Sequence, residues 1–167
     1  MCYNHSNMNW SKATDIALIA ALATFAVFAV LGLYQWISRK SLKKVDKPLV
    51  KTLVPFALMA ATYFVFDKIL IWNTRPDGSG EPSFPSSHVM VVATIFALVA
   101  INLPRYIAKK PLRIVLYCIM AALTIFTAVG RVAADKHWIS DVIGAFIFAG
   151  IFVTIYYLIA RKDLKHE

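Results

Sequence analysis

The chain has 167 residues, 59% of them hydrophobic, and a net charge of +9. That is too apolar for a soluble domain of this size, and its long apolar runs point to lipid as the solvent. The positive excess would suggest nucleic acid as a partner for a soluble protein; here it reads as charge flanking membrane helices, and no nucleic-acid partner is expected.

Five apolar runs follow in chain order. The first is Ile16 to Ile37. It is too long for a secretory signal and lacks a basic lead-in and a small-residue cleavage site, so it is read as a retained helix. The second, Leu53 to Trp72, carries Asp67 and Lys68 inside its far end. The third is Val89 to Leu103, closed by Pro104; the fourth is Ile114 to Val129; the fifth is Val142 to Ala160. Crossing the hydrocarbon core takes ~20 apolar residues. The third and fourth are short by that measure, and become long enough if their polar ends, near His88 and Arg131, are buried in protein. The expectation is an all-α integral membrane bundle of about five transmembrane helices. It forms one domain over 1–167, with a polar tail over 1–14 and a basic tail over 161–167. Trp10, Trp36, Trp72 and Trp138 fall near run ends, as an interfacial aromatic belt would. Cys118 lies within an apolar run and Cys2 at the extreme N-terminus, so no structural disulfide is expected. No Cys/His cluster has zinc spacing, and neither metal nor cofactor is expected. His5 and His166 read as surface residues.

Five spans place the 67–87 and 130–141 loops on one side, with the N-terminal tail. The 38–52 and 104–113 loops and the C-terminal tail lie on the other. That second side holds Arg39, Lys40, Lys43, Lys44, Lys47, Lys51, Arg105, Lys109, Lys110, Arg113, Arg161, Lys162 and Lys165, which is 13 of the 18 cations. Lys12, Lys68, Arg75, Arg131 and Lys136 make up the other 5. The positive-inside rule puts the richer side, with the C-terminus, in the cytoplasm. The expected location is a bacterial inner or cytoplasmic membrane.

Three motifs sit at run ends on the opposite, outward side. An ionisable group at membrane depth is a functional candidate by default. Lys68-x6-Arg75-Pro76 leads into a loop rich in Asp, Gly, Ser and Pro. Arg offers a planar fork to phosphate oxygens, and Lys a point charge. Pro85-Ser86-Ser87-His88 precedes an apolar helix at once, and a helix start with free N–H donors binds phosphate readily. Arg131-x5-His137-x3-Asp141 opens the fifth run. Asp141 follows His137 by four residues, one helical turn if the helix starts near His137. Its carboxylate is expected to accept a hydrogen bond from one ring nitrogen, fix the tautomer and leave the other nitrogen as nucleophile. Each motif alone has a plainer reading: a capped helix, snorkelling cations, an interfacial histidine. Their shared side, derived from charge counts without using them, favours a site.

The ordered triple K-x6-R-P, P-S-x-H and R-x5-H-x3-D resembles the signature of the type 2 phosphatidic acid phosphatase and vanadium haloperoxidase superfamily. It spans Lys68 to Asp141, and the implied helical core covers nearly the whole chain. The resemblance implies a metal-independent phosphatase. In that scheme His137 attacks phosphorus and becomes a phosphohistidine, Asp141 orients and charges it, and His88 protonates the leaving oxygen. Lys68, Arg75 and Arg131, with Ser86 and nearby backbone N–H groups, hold the phosphate oxygens. Two positions depart from the pattern. Gly130 stands where the third motif usually has Ser, so a hydroxyl is missing. Ser87 stands where the second usually has Gly, adding a hydrogen bond or crowding the site. The expected substrate is a lipid phosphate or diphosphate met on the outer leaflet, with undecaprenyl diphosphate preferred over phosphatidylglycerophosphate, phosphatidic acid and lipid A phosphates. The rival is a non-catalytic lipid-phosphate binder or transporter subunit. Five apolar spans argue against a haloperoxidase.

Overall fold

The computed structural model describes residues 5–41 and 44–164. Cys2, Lys43, Lys165 and His166, and the side chain of His5, lie outside what is described. Helix α1 spans His5–Arg39. A short α2, Lys47–Lys51, has Pro48 in its first turn, where no intrahelical donor is needed. It leads through Thr52 into α3, Leu53–Phe64, which ends in a π-helical turn, Val65–Ile69. Then come α4, Ser87–Tyr106, α5, Lys110–Ala133, and α6, Ile139–Leu164.

Five stretches are long and apolar enough to cross a membrane: Asn9–Arg39, Lys47–Ile69, Ser87–Tyr106, Lys110–Ala133 and Ile139–Leu164. These are the five expected runs, each extended at its ends. The 1–14 segment, expected as a polar tail, is helical from His5 onward. Helix α4 does not close at Pro104 but runs on to Tyr106. A proline has no N–H to give the carbonyl four residues back and its ring crowds that carbonyl, and the helix ends two residues later. The short fourth run gains length by burying its polar end, with Arg131 in the last turn of α5 only 4% exposed, whereas His88 at the start of the third is only half-buried.

Helix α4 is the hub and packs against α1, α3, α5 and α6. Val92, Ile95, Phe96, Val99 and Leu103 of α4 form one core with Ala21 of α1 and Met120 of α5. Val89 and Met90 join a second core with Ala128 of α5 and Val142, Ala145 and Phe152 of α6. The outer helices turn Ile16, Val30, Ile119, Ile125 and Ile147 outward. In water those faces would be costly; in hydrocarbon they are the solvent-facing surface.

Candidate active site

Every motif residue lies at one end of this bundle, where α3 ends, α4 begins, α5 ends and α6 begins. Two loops join there. Residues 70–86 fold back on themselves: an antiparallel bridge pairs Thr74 with Pro82, Arg75 N–H donates to Glu81 O at 3.0 Å, and Ser83 N–H donates to Asn73 O at 2.9 Å. Gly78 and Gly80 turn the tip with φ of 76° and 74°, a region open to glycine. This loop is fastened to the 134–138 loop by the half-buried Lys136–Asp77 ion pair at 2.8 Å and by Trp138 Nε1–H donating to Thr74 O at 2.8 Å. Ser86 N–H donates to Asp141 O at 3.1 Å, which ties the start of α4 to the start of α6.

The inner part of the loop is anchored by aromatic packing. The Phe84 ring lies 5.2 Å from Phe66 of the π-helical turn and 6.5 Å from Phe148 of α6. It presses on the bare backbone of Gly144, where a Cβ would fall 2.3 Å from Phe84 Cε2. Phe84 therefore fixes the position of its neighbour Ser83, and that residue carries the main surprise of the site.

His137 is 3% exposed, and its Nδ1 lies 2.8 Å from the Ser83 carbonyl oxygen. A carbonyl only accepts, so Nδ1 carries the proton, and in the neutral ring Nε2 holds the lone pair. Nε2 has no hydrogen-bond partner among the described residues. The expected partner, Asp141, does not make this bond. Its Oδ2 stands 3.6 Å from Nδ1 and accepts the Trp138 N–H at 2.8 Å instead. Asp141 occupies the third position of α6, where a side chain naturally reaches back to cap the free donors of the helix start. The four-residue spacing thus brings charge to His137, while the tautomer is set by a backbone group 54 residues away.

Arg75, Ser87 and His137 line a cavity of about 50 Å³, together with Tyr63, Phe66, Asp67 and the 82–85 segment. Ser86 and Asp141 are fully buried beside it. His88, in the first turn of α4, has its Nε2 3.0 Å from Asp15 Oδ1, and Arg131 Nη1 is 3.8 Å from the same oxygen. Arg75 also pairs with Glu81. Lys68 is the expected residue that the fold does not bring in. It sits on the π-helical turn, is largely exposed and pairs with Asp67 at 2.6 Å. Asp67, not Lys68, lines the cavity. Two contributors were not singled out in the sequence. Ser83 acts through its backbone, which has no residue signature. Asp15 had a signal, since it is a carboxylate at the mouth of the first apolar run.

A model of the PAP2 superfamily matches residues 62–165, well over half of the chain. The chain belongs to the PAP2 superfamily. Among curated proteins none matches it by sequence. Among solved structures, a transmembrane PAP2-type phosphatidylglycerolphosphate phosphatase from Bacillus subtilis matches with a TM-score of 0.72 at 18% identity, covering 96% of this chain and 79% of that one. At that identity the likeness is one of fold.

In this PAP2 chain the electrostatics of His137 follow from its setting. Burial, then the guanidinium of Arg131, pushes the ring well below its ordinary value, to about 3, against the opposing bond to the Ser83 carbonyl. Arg75 and His88 act in the same direction. The ring is therefore neutral at ordinary pH, with Nε2 unprotonated, and several positive groups surround it. Such a pocket favours an anion beside a nitrogen nucleophile.

Proposed function

We propose that this chain is an integral membrane lipid phosphatase working through a phosphohistidine. The observation that carries the reading is the buried, neutral His137, its proton held on Nδ1 by the Ser83 carbonyl and its Nε2 left with a lone pair. That lone pair attacks phosphorus, the bond to the lipid oxygen breaks, and His88 gives that oxygen a proton. The phosphorylated ring is positively charged, and the Asp141 carboxylate 3.6 Å away offsets it. Water then displaces His137, losing its proton to His88. Arg75 and Arg131 hold the phosphate oxygens, with Ser86, Ser87 and the free N–H groups at the start of α4. Lys68 joins the grip only if its side chain turns away from the pair with Asp67. Phosphoryl transfer rests mostly on positioning and charge stabilisation, which fixed cations can supply without a metal.

For the lipid, undecaprenyl diphosphate is the first choice, because the charge asymmetry points the site outward, where spent carrier lipid is exposed. Phosphatidylglycerophosphate is the second reading, favoured by the activity named for the solved structure of the same fold. Phosphatidic acid and lipid A phosphates complete the panel. The test is phosphate release from these lipids by purified protein in detergent with EDTA present. Release is expected, together with inhibition by vanadate. Its absence from every lipid would favour a non-catalytic phosphate binder, and loss in EDTA with recovery in magnesium would end the metal-free mechanism. For orientation, a cysteine placed at Ser79 should react with an impermeant thiol reagent in intact cells, while one at Ser41 should not. The reverse pattern would remove the reason for preferring undecaprenyl diphosphate.

A further inference from the structure

We infer that Asp15 of α1 is a positioning residue for His88, making a second carboxylate–histidine pair that serves the proton-transfer half of the reaction. The inference rests on the phosphatase reading above. Asp15 Oδ1 lies 3.0 Å from His88 Nε2. A carboxylate accepts, so the Nε2 proton points at Asp15 and the ring is held by that bond. The other nitrogen, Nδ1, is buried and has no hydrogen-bond partner among the described residues. Nδ1 is then the nitrogen that handles the leaving-group proton, and Asp15 fixes which way it faces. A carboxylate also offsets the charge of the doubly protonated ring, the form that can act as an acid. Arg131 Nη1, 3.8 Å from the same oxygen, helps to hold that carboxylate in place.

A separate observation explains how α1 comes to be there. At Gly130, a Cβ would sit 2.5 Å from Thr14 Cγ2 and 3.5 Å from the Trp10 ring. Only a residue without a side chain lets α1 come this close to the end of α5. Thr14, fully buried, is the contact, and Asp15 is the next residue. The glycine that cost the third motif its hydroxyl is therefore the one that admits α1 and delivers a carboxylate to the site. The match to the PAP2 family model begins at residue 62, so α1 and Asp15 lie outside it.

The test compares a substrate whose leaving oxygen needs a proton with one whose leaving group does not. Purified full-length protein in detergent is assayed on phosphatidic acid and on 4-nitrophenyl phosphate. Asp15→Asn keeps the shape of the side chain and removes its charge. It should lower kcat/KM on phosphatidic acid by about tenfold or more, and on 4-nitrophenyl phosphate by less than about threefold, since a positioned acid is worth most where the leaving group is poor. In a His88→Ala background the same change should have no further effect. Gly130→Ala, which drives Thr14 off, should show the same substrate-selective loss. Equal losses on both substrates would mean that Asp15 only supports the fold, and a gain in activity would mean that its carboxylate competes with phosphate. Either overturns the inference, as does an unchanged Asp15→Asn. A His137-dependent wild type with unaffected Asp15→Asn defeats this inference alone, whereas a wild type inactive on every lipid phosphate defeats the phosphatase reading with it.

Discussion

The two ends of the bundle bury polar groups in different ways. At the end away from the site, Tyr156 of α6 meets Asn102 of α4, with O–H to Oδ1 at 2.8 Å and the Pro48 carbonyl of α2 at 3.3 Å. Asn102 Nδ2–H donates to Leu98 O at 2.8 Å. Three helices are pinned by a closed set of partners. At the site end, Ser83 Oγ, Ser86 Oγ, His88 Nδ1, His137 Nε2, Asp141 Oδ1 and Arg75 Nε are buried without a partner among the described residues. A natural structure rarely leaves so many polar atoms unmatched unless they serve something other than the fold. One cluster is built to hold helices together, and the other is held by its surroundings so that its spare capacity meets a ligand.

The contrast predicts a double dissociation. His137→Ala should lower phosphate release by about a thousandfold or more, because no neighbouring side chain can replace the attacking nitrogen. The protein should still elute as a folded, monodisperse species in detergent. Tyr156→Phe removes one hydroxyl and leaves Asn102 Oδ1 and the Pro48 carbonyl without their donor. It should cost about 1–3 kcal/mol of stability and leave kcat within about twofold below the melting transition. Thermal melts and phosphate release on both variants check this. Near-normal activity in His137→Ala would end the phosphohistidine mechanism, and an inactive but fully stable Tyr156→Phe would erase the division of labour.

A second change probes how the site is held in shape. Gly144→Ala puts a methyl group into the Phe84 ring, whose position sets the Ser83 carbonyl. Overpacking of this kind typically costs about 1–3 kcal/mol. The larger consequence should be functional, because a displaced Ser83 no longer holds the His137 proton on Nδ1. A loss of about tenfold or more in kcat is expected. Asp141→Asn should also lose most of its activity, but through charge: its amide oxygen can still accept the Trp138 N–H. If Gly144→Ala melts lower yet turns over normally, the Ser83 carbonyl does not govern the tautomer.

Much of this was legible in the sequence, and the gaps have physical causes. Apolar run length and the charge asymmetry gave five helices and gathered Arg75, His88, Arg131 and His137 at one end. What spacing could not give was the partner within that gathering. The R-x5-H-x3-D pattern suggested that Asp141 would hold His137, because four residues is one helical turn. The helix starts at Ile139, after His137, so the carboxylate caps the helix and a distant carbonyl takes the ring proton. Lys68 stands apart for a local reason: it lies on the π turn at 65–69, largely exposed and paired with Asp67, which motif spacing does not show. Asp15 needed the contact between α1 and α5, which depends on a missing Cβ 116 to 115 positions along the chain rather than on any local pattern.

The smallest effect concerns the latch between the two loops. Burial alone would raise the Asp77 carboxyl, but hydrogen bonds from Lys136 and Ser79 outweigh it and hold the group down at about 2, against an ordinary value of 3.8. A depressed carboxylate adds stability above its unfolded value, and that stability is lost as pH falls through the folded one. The latch should therefore be at full strength above pH 4 and fade toward pH 2. Asp77→Asn removes it at every pH. Its melting temperature should lie a few degrees below wild type at pH 6, and the gap should close as pH falls toward 2. Other carboxylates titrate in the same range, so the difference between the two proteins is the quantity to follow. Activity at pH 6 should drop only modestly, since Arg75 and Ser83 are also held by the fold-back of their own loop. A gap that stays constant from pH 6 to pH 2 would mean that the Lys136–Asp77 pair is not what fastens the loops.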